Sequence, residues 1–133
     1  MTLTLDVSAA IEVVMGRPKQ LEISSILKQA EWIITPNLFI YETSNVMWKY
    51  SKIYRVDMLI KKTEQTLALI DEYINPESIY EEAIALACRH NHPAYDAMYI
   101  VTCRRRNATL VTLDNKLMKL ASSLQVPCAL VSG

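Results

Sequence analysis

His92-Pro93-Ala94-Tyr95-Asp96 opens, and Asp114-Asn115 closes, the stretch that decides the fold. Pro93 interrupts any continuous helix, so a new one is expected to begin at Tyr95 or Asp96 and to run through Ala97-Met98-Tyr99-Ile100-Val101 to about Arg106. A turn at Asn107 follows. Thr109-Leu110-Val111-Thr112-Leu113 has the β-branched, apolar character of a buried strand, and a further helix is expected from Asp114. One carboxylate thus stands at a helix start and a second at a strand end.

Working outward, Thr2-Leu3-Thr4-Leu5-Asp6 reads as a strand ending at Asp6. Ser8 then opens a helix over Ala9 to Met15, with its hydroxyl placed to cap free amides. Gly16 and Pro18 break the chain ahead of a helix from Lys19 to Ala30, whose apolar face is Leu21, Ile23, Ile26, Leu27 and Ala30. Trp32 to Thr35 is a second strand. Thr35-Pro36 supplies a cap followed by proline, the start of a helix to Tyr50. Phe39, Thr43, Val46 and Tyr50 form one stripe of that helix, and Glu42, Asn45 and Lys49 another.

Ser51 to Tyr54 reads as a turn. Arg55 to Asp71 repeats Val56, Leu59, Ile60, Thr63, Leu67 and Ile70 at helical spacing, which predicts a helical hairpin. After Asn75-Pro76, Ser78-Ile79-Tyr80-Glu81 has the capping-box pattern, leading a helix through Ile79, Ala83, Leu86 and Ala87. Leu117, Leu120, Ala121 and Leu124 give a last helix, and Val126 to Val131 a closing strand. Strands separated by helices predict an α/β fold of three layers, α/β/α, with a mostly parallel central sheet. In such sheets ligands bind beyond the carboxyl ends of the strands, and Asp6 and Asp114 both fall there.

The 133 residues suffice for a single domain spanning 1–133 and for a sizeable core. Fourteen basic and fourteen acidic side chains cancel, so a nucleic-acid partner would have to be held by local patches rather than by a global field. Three widely spaced cysteines, Cys88, Cys103 and Cys128, suit buried thiols in a reducing compartment better than a disulfide framework or a zinc site. No apolar run reaches the roughly 18 residues of a membrane helix, and the start lacks a secretory pattern, so the cytoplasm is the expected location.

Four acids stand out: Asp6, Glu42, Asp96 and Asp114. Taken singly, each has an ordinary explanation as a helix cap or a solvated surface residue. Gathered in one cleft they would repel one another unless a cation intervened, and Mg2+ or Mn2+ suits a set of oxygen ligands. Such an ion can activate water and screen a phosphodiester. No histidine is placed as an obvious base, and His90 and His92 lack partner ligands at a metal-binding spacing.

Leu5-Asp6-Val7-Ser8, Glu42-Thr43-Ser44-Asn45, Tyr95-Asp96-Ala97-Met98-Tyr99 and Leu110-Val111-Thr112-Leu113-Asp114, in that order, resemble the motifs of PIN domains. The similarity is greatest to the VapC-like toxins of type II toxin–antitoxin pairs, and it covers nearly the whole chain. It implies a divalent-metal-dependent endoribonuclease with Asp6, Glu42, Asp96 and Asp114 as the catalytic and metal-binding cluster. Ser8, Asn45 and Thr112 match the family's supporting polar positions. It also implies an RNA substrate, a cognate antitoxin and a homodimer.

Lys49, two turns beyond Glu42 on one helix face, and Lys116, just after Asp114, are candidates to meet substrate phosphate. Arg104-Arg105-Arg106 lie roughly 12–15 Å along the helix from Asp96, which favours a structural or remote role. Met47, Trp48, Tyr50, Tyr54 and Met58 gather near the hairpin tip, where core or dimer packing is the default; for a patch left exposed there, the resemblance implies a groove filled by an antitoxin segment or a second protomer. The alternatives are a non-catalytic RNA- or partner-binding module on the same fold, a nuclease directed at DNA, and a receiver-like phosphoacceptor domain. The last usually carries an early acidic pair, whereas Asp6 stands alone at its strand.

Overall fold

Leu5 lies beside Val111 and Thr4 beside Leu110 in a parallel pairing that brings the two ends of the sequence together. The computed structural model describes residues 1–129 and 131–132. Its elements run β1 Thr2–Leu5, α1 Val7–Val14, α2 Gln20–Lys28, β2 Trp32–Pro36, α3 Leu38–Lys49 and α4 Val56–Leu67. They continue with β3 Glu72–Ile74, a 3-10 turn Pro76–Ser78, α5 Tyr80–His90, α6 Ala94–Arg106, β4 Thr109–Val111 and α7 Asn115–Ser123. The strands form one parallel sheet in the order β3-β2-β1-β4.

Alternation along the strands divides the core between two faces. Leu3, Leu5 and Val111 pack with Ala9, Ile11, Ile23, Phe39, Met47 and Leu59, from α1 to α4. Leu110 points the other way, into a cluster with Leu86, Tyr99, Ile100, Leu117 and Leu120, from α5 to α7. Helices on both faces of one sheet make the expected three-layer α/β/α arrangement. The helix over Ala94–Arg106 ends at Asn107, whose left-handed backbone (φ 50°) makes the expected turn into β4.

Several local expectations are corrected by longer-range contacts. Asp6, not Ser8, caps α1, its carboxylate accepting from the Ala9 amide; the Ser8 hydroxyl is engaged across the sheet instead. Thr35 does not cap α3. It is fully buried inside β2, and its hydroxyl donates to the Leu5 carbonyl at 2.8 Å. The helix after Tyr54 stops at Leu67 rather than Asp71, because the next residues join the sheet. Asp71 exchanges bonds with Ile33 through its amide and carboxylate, and Glu72–Ile74 forms a strand the helical pattern concealed.

The capping box at Ser78 is not formed either. Asn75 accepts from the Glu77 amide and starts the 3-10 turn, whose Ser78 hydroxyl donates back to the Asn75 carbonyl. Leu21 is 82% exposed and leaves Ile23 as the buried residue of α2. Of the closing strand, a single parallel bridge joins Cys128 to Leu110. The expected strand also included Leu130, which lies outside the described residues.

Candidate active site

The carboxyl ends of β1 and β4 face the first turns of α1, α6 and α7 and the middle of α3. Asp6 leaves β1 as the cap of α1 and is nearly buried. Three donors hold its carboxylate: the Ser8 hydroxyl at 2.6 Å and the Ala9 amide at 3.2 Å on Oδ1, and the Thr112 hydroxyl at 2.6 Å on Oδ2. The two hydroxyls are anchored in turn. Ser8 Oγ accepts from the Leu113 amide at 2.9 Å, and Thr112 Oγ1 from the Asp114 amide at 3.0 Å. Residues more than a hundred positions apart thereby fix one carboxylate.

Asp114 caps α7, its Oδ1 accepting from the Lys116 and Leu117 amides at 2.9 and 3.3 Å. Asp96 stands in the first turn of α6, where negative charge meets the positive end of the helix dipole. Its Oδ2 lies 3.8 Å from His92 Nδ1, beyond hydrogen-bond reach. Glu42 projects from α3 and accepts a 2.7 Å bond from the Tyr99 hydroxyl on α6.

These groups open onto one cleft of about 520 Å³, lined by Asp6, Ser8, Glu42, Asp96 and Asp114 together with Glu12, Arg17 and Tyr99. Crowding of acids shows in their proton affinities. Burial pushes Asp6 above the usual carboxylate range despite its three donors, and the charge of Asp114 adds to the rise. Burial likewise raises Glu42 against the Tyr99 hydrogen bond, with Asp6, Asp96 and Asp114 all contributing. Asp96 is raised by burial and by Asp114, while His92 and Lys116 oppose. Burial, with Glu42 beside it, drives the Tyr99 phenol upward, so it stays a donor. The four acids share one electrostatic environment.

The profile of the PIN domain family matches residues 3–122. The chain belongs to the PIN domain family. Ribonuclease VapC3 of Pyrobaculum aerophilum is 28% identical over 134 residues, covering 96% of this chain and all of that relative. Exonuclease VapC9 of the same organism is 26% identical over 79% of this chain and 80% of its own. In fold, the PIN domain superposes on VapBC2 from Rickettsia felis, solved bound to a DNA fragment from their promoter. The TM-score is 0.70 at 15% identity, with 99% of this chain and 100% of that chain covered. The family match sets aside the receiver-like alternative.

Not every residue singled out in the sequence lines the cleft of this PIN domain. Thr112 lies beneath it, buried against Asp6. Asn45 is exposed in a neighbouring hollow and touches none of the carboxylates through a hydrogen bond among the described residues. Lys49 is exposed at the end of α3, outside the lining. Lys116 is exposed at the start of α7, close enough for its charge to act on Asp96. The triple arginine is remote: Arg106 forms a two-pronged pair with Glu72 at 2.8 and 2.9 Å, and Arg105 bonds Glu82 and the Ser78 carbonyl. With Arg106, and then Trp32, donating to it, Glu72 is held down at about 2.

Arg17 and Glu12 are lining residues that the sequence reading passed over. Arg17 is carried into the cleft by a left-handed turn at Gly16 (φ 63°), donates to the Tyr50 hydroxyl at 3.0 Å, and lies 4.0 Å from Glu12. The signal was the Gly16-Arg17-Pro18 break, read only as punctuation. Tyr99 sits in the Tyr95–Tyr99 motif, yet its bond to Glu42, 57 positions away, carries no signal in the sequence.

Whether these side chains suit a divalent cation is decided by their donor set. All four acids offer hard oxygen, and their mutual repulsion is what a cation would relieve. Among the described residues, no three His, Cys, Asp or Glu side chains close into a direct cage. An ion here would therefore be met by the acids partly through bound water, the habit of magnesium.

Proposed function

We propose that this PIN domain is a divalent-metal-dependent endoribonuclease of the cytoplasm, the toxin of a toxin–antitoxin pair. The observation that carries the reading is the convergence of Asp6, Glu42, Asp96 and Asp114 on one cleft at the carboxyl edge of the sheet. Support for RNA as substrate comes from the likeness to Ribonuclease VapC3 along nearly the full chain.

Asp6, Asp96 and Asp114, with Glu42 directly or through water, would hold Mg2+ or Mn2+. When bound, the ion supplies a water of lowered pKa and screens the charge of the phosphodiester. The rest is the work of the chain. Ser8, Ala9 and Thr112 hold the Asp6 carboxylate against rotation. Tyr99 does the same for Glu42 and donates its proton toward that carboxylate, not away from it. Arg17, anchored on Tyr50, offers the cleft a positive charge for a substrate phosphate. Lys116 adds a second at the α7 side.

The groove between α3 and α4 supports an antitoxin partner. It measures about 410 Å³, is lined by Met47, Trp48, Val56, Leu59 and Ile60, and leaves Trp48 67% exposed. An apolar peptide segment of the antitoxin would fill it. A homodimer is part of the same proposal. Among the described residues no helix is long and apolar enough to cross a membrane.

The test compares the native chain with Asp96→Asn. Purified native protein cuts RNA internally only with Mg2+ or Mn2+, and its conditional expression in a bacterial host arrests growth and yields RNA fragments; Asp96→Asn does neither while keeping its fold. Full cleavage by a folded Asp96→Asn protein sinks the assignment. RNA binding without cleavage across divalent metals would instead favour the non-catalytic module.

A further inference from the structure

Beside the acidic cleft, between α3 and the first turn of α6, lies a second hollow of about 350 Å³ lined by Leu38, Tyr41, Glu42, Asn45 and Tyr95. We infer that it receives one unstacked base of a single-stranded RNA, with Tyr41 and Tyr95 as the stacking surfaces and Asn45 as the group that reads the base edge.

Three observations carry this. Tyr41 and Tyr95 are 74% and 65% exposed, so neither serves the core. The ring pairs among the described residues are Phe39–Tyr73 and Tyr50–Tyr54, and Tyr41 and Tyr95 belong to neither. Their π-faces are free for a flat partner, and every base has such a face. Second, each tyrosine immediately precedes an acid of the cleft, Tyr41 before Glu42 and Tyr95 before Asp96, and Glu42 lines both the hollow and the cleft. A nucleotide whose phosphate meets the acids has its base within one side chain of the hollow. Third, Asn45 stands one helical turn from Tyr41 on the same face of α3, and its amide makes no hydrogen bond among the described residues. An amide offers both a donor and an acceptor, the pattern a base edge requires.

A dry contact with a second copy would strip water from Asn45 and Glu42, which is costly unless that copy brought polar partners. A base brings them with it. Because the base must leave its stack, the hollow selects unpaired over duplex RNA. This inference rests on the reading of the cleft as an RNA-cutting site, and its test is separable from cleavage.

A short single-stranded RNA carrying 2-aminopurine is titrated with protein while the metal is chelated. The native chain quenches the fluorescence, and the same sequence in a duplex is not quenched. Tyr41→Ala and Tyr95→Ala each weaken binding roughly tenfold or more, the Phe variants bind as native, and Asn45→Ala alters the preference among bases. Native affinity in both Ala variants overturns the inference. So does a loss of self-association by light scattering in those variants with RNA affinity unchanged, which would make the hollow a protomer contact. A native chain that cleaves RNA while the Ala variants bind normally removes the hollow and spares the nuclease. One that binds through the tyrosines yet never cleaves supports the hollow and removes the nuclease.

Discussion

Thr112→Val removes one oxygen from the floor of the site and leaves the side-chain volume nearly unchanged. Thr112 is 1% exposed; its hydroxyl donates to Asp6 at 2.6 Å and accepts from the Asp114 amide at 3.0 Å. A hydrogen bond to a charged group contributes about 1.5–3 kcal/mol, and a stranded buried N–H costs about 1–3 kcal/mol. Because Asp114 is exposed, water can reach the stranded amide, and the expected loss is about 2–4 kcal/mol. In urea that lowers the unfolding midpoint by roughly 1–2 M for a slope of about 2 kcal/mol/M.

The loss also depends on pH, with a definite sign. Asp6 is already raised by burial, and deleting a donor that lowers it raises it further. An acid whose folded pKa exceeds its unfolded value destabilises the fold as pH climbs through that interval. The deficit of Thr112→Val therefore grows as pH rises above the ordinary carboxylate range and does not shrink. Thr112→Ser, which keeps the hydroxyl, loses only about 1 kcal/mol for its methyl. A loss below about 0.5 kcal/mol, or a loss that shrinks as pH rises, would refute the idea that Thr112 supports a buried carboxylate.

Other outcomes follow from the same cleft and its surroundings. Asp96→Asn, measured without metal near neutral pH, unfolds at a temperature no lower than native, since it deletes a charge that burial and Asp114 oppose; a clear drop would contradict this. Mg2+ at about a hundred times its dissociation constant stabilises the native chain by about 2.7 kcal/mol, read as a rise in Tm, and the response is flattened in Asp96→Asn. Equal shifts in both proteins would place the ion elsewhere. Arg106→Ala costs about 0.5–1 kcal/mol, the value of a well-shaped but partly exposed pair, and leaves RNA cleavage unchanged. Glu72 is depressed, so that contribution is present above the ordinary glutamate range and fades as pH falls toward about 2; a constant deficit across that window would contradict the pairing.

The carboxyl edge of the sheet was legible because its evidence is local. Asp6 and Asp114 directly follow short β-branched runs, and Asp96 follows a proline that breaks any helix arriving from before it and precedes the start of α6. The elements that escaped were fixed by contacts remote in sequence. Ile70 continues the helical spacing of α4, yet Asp71 binds Ile33 and pulls the chain into β3. Thr35 looks like a cap, yet its hydroxyl finds a carbonyl one strand away. Val56 and Ile60 keep the correct period and remain 69% and 55% exposed, because periodicity names a face without naming what covers it. Arg17 escaped for a related reason: its direction depends on the turn at Gly16 and on Tyr50, 33 positions downstream.

Ser8 and Thr112 clasp Asp6 from opposite ends of the sequence, each just beyond the carboxyl end of one of two neighbouring strands, β1 and β4. No contiguous fragment short of that span can assemble the acidic pocket. During synthesis the amino-terminal portion, though it already owns Asp6 and Glu42, must wait for β4 to slot in beside β1. The nascent chain thus carries no assembled acidic cleft until nearly all of the fold has emerged.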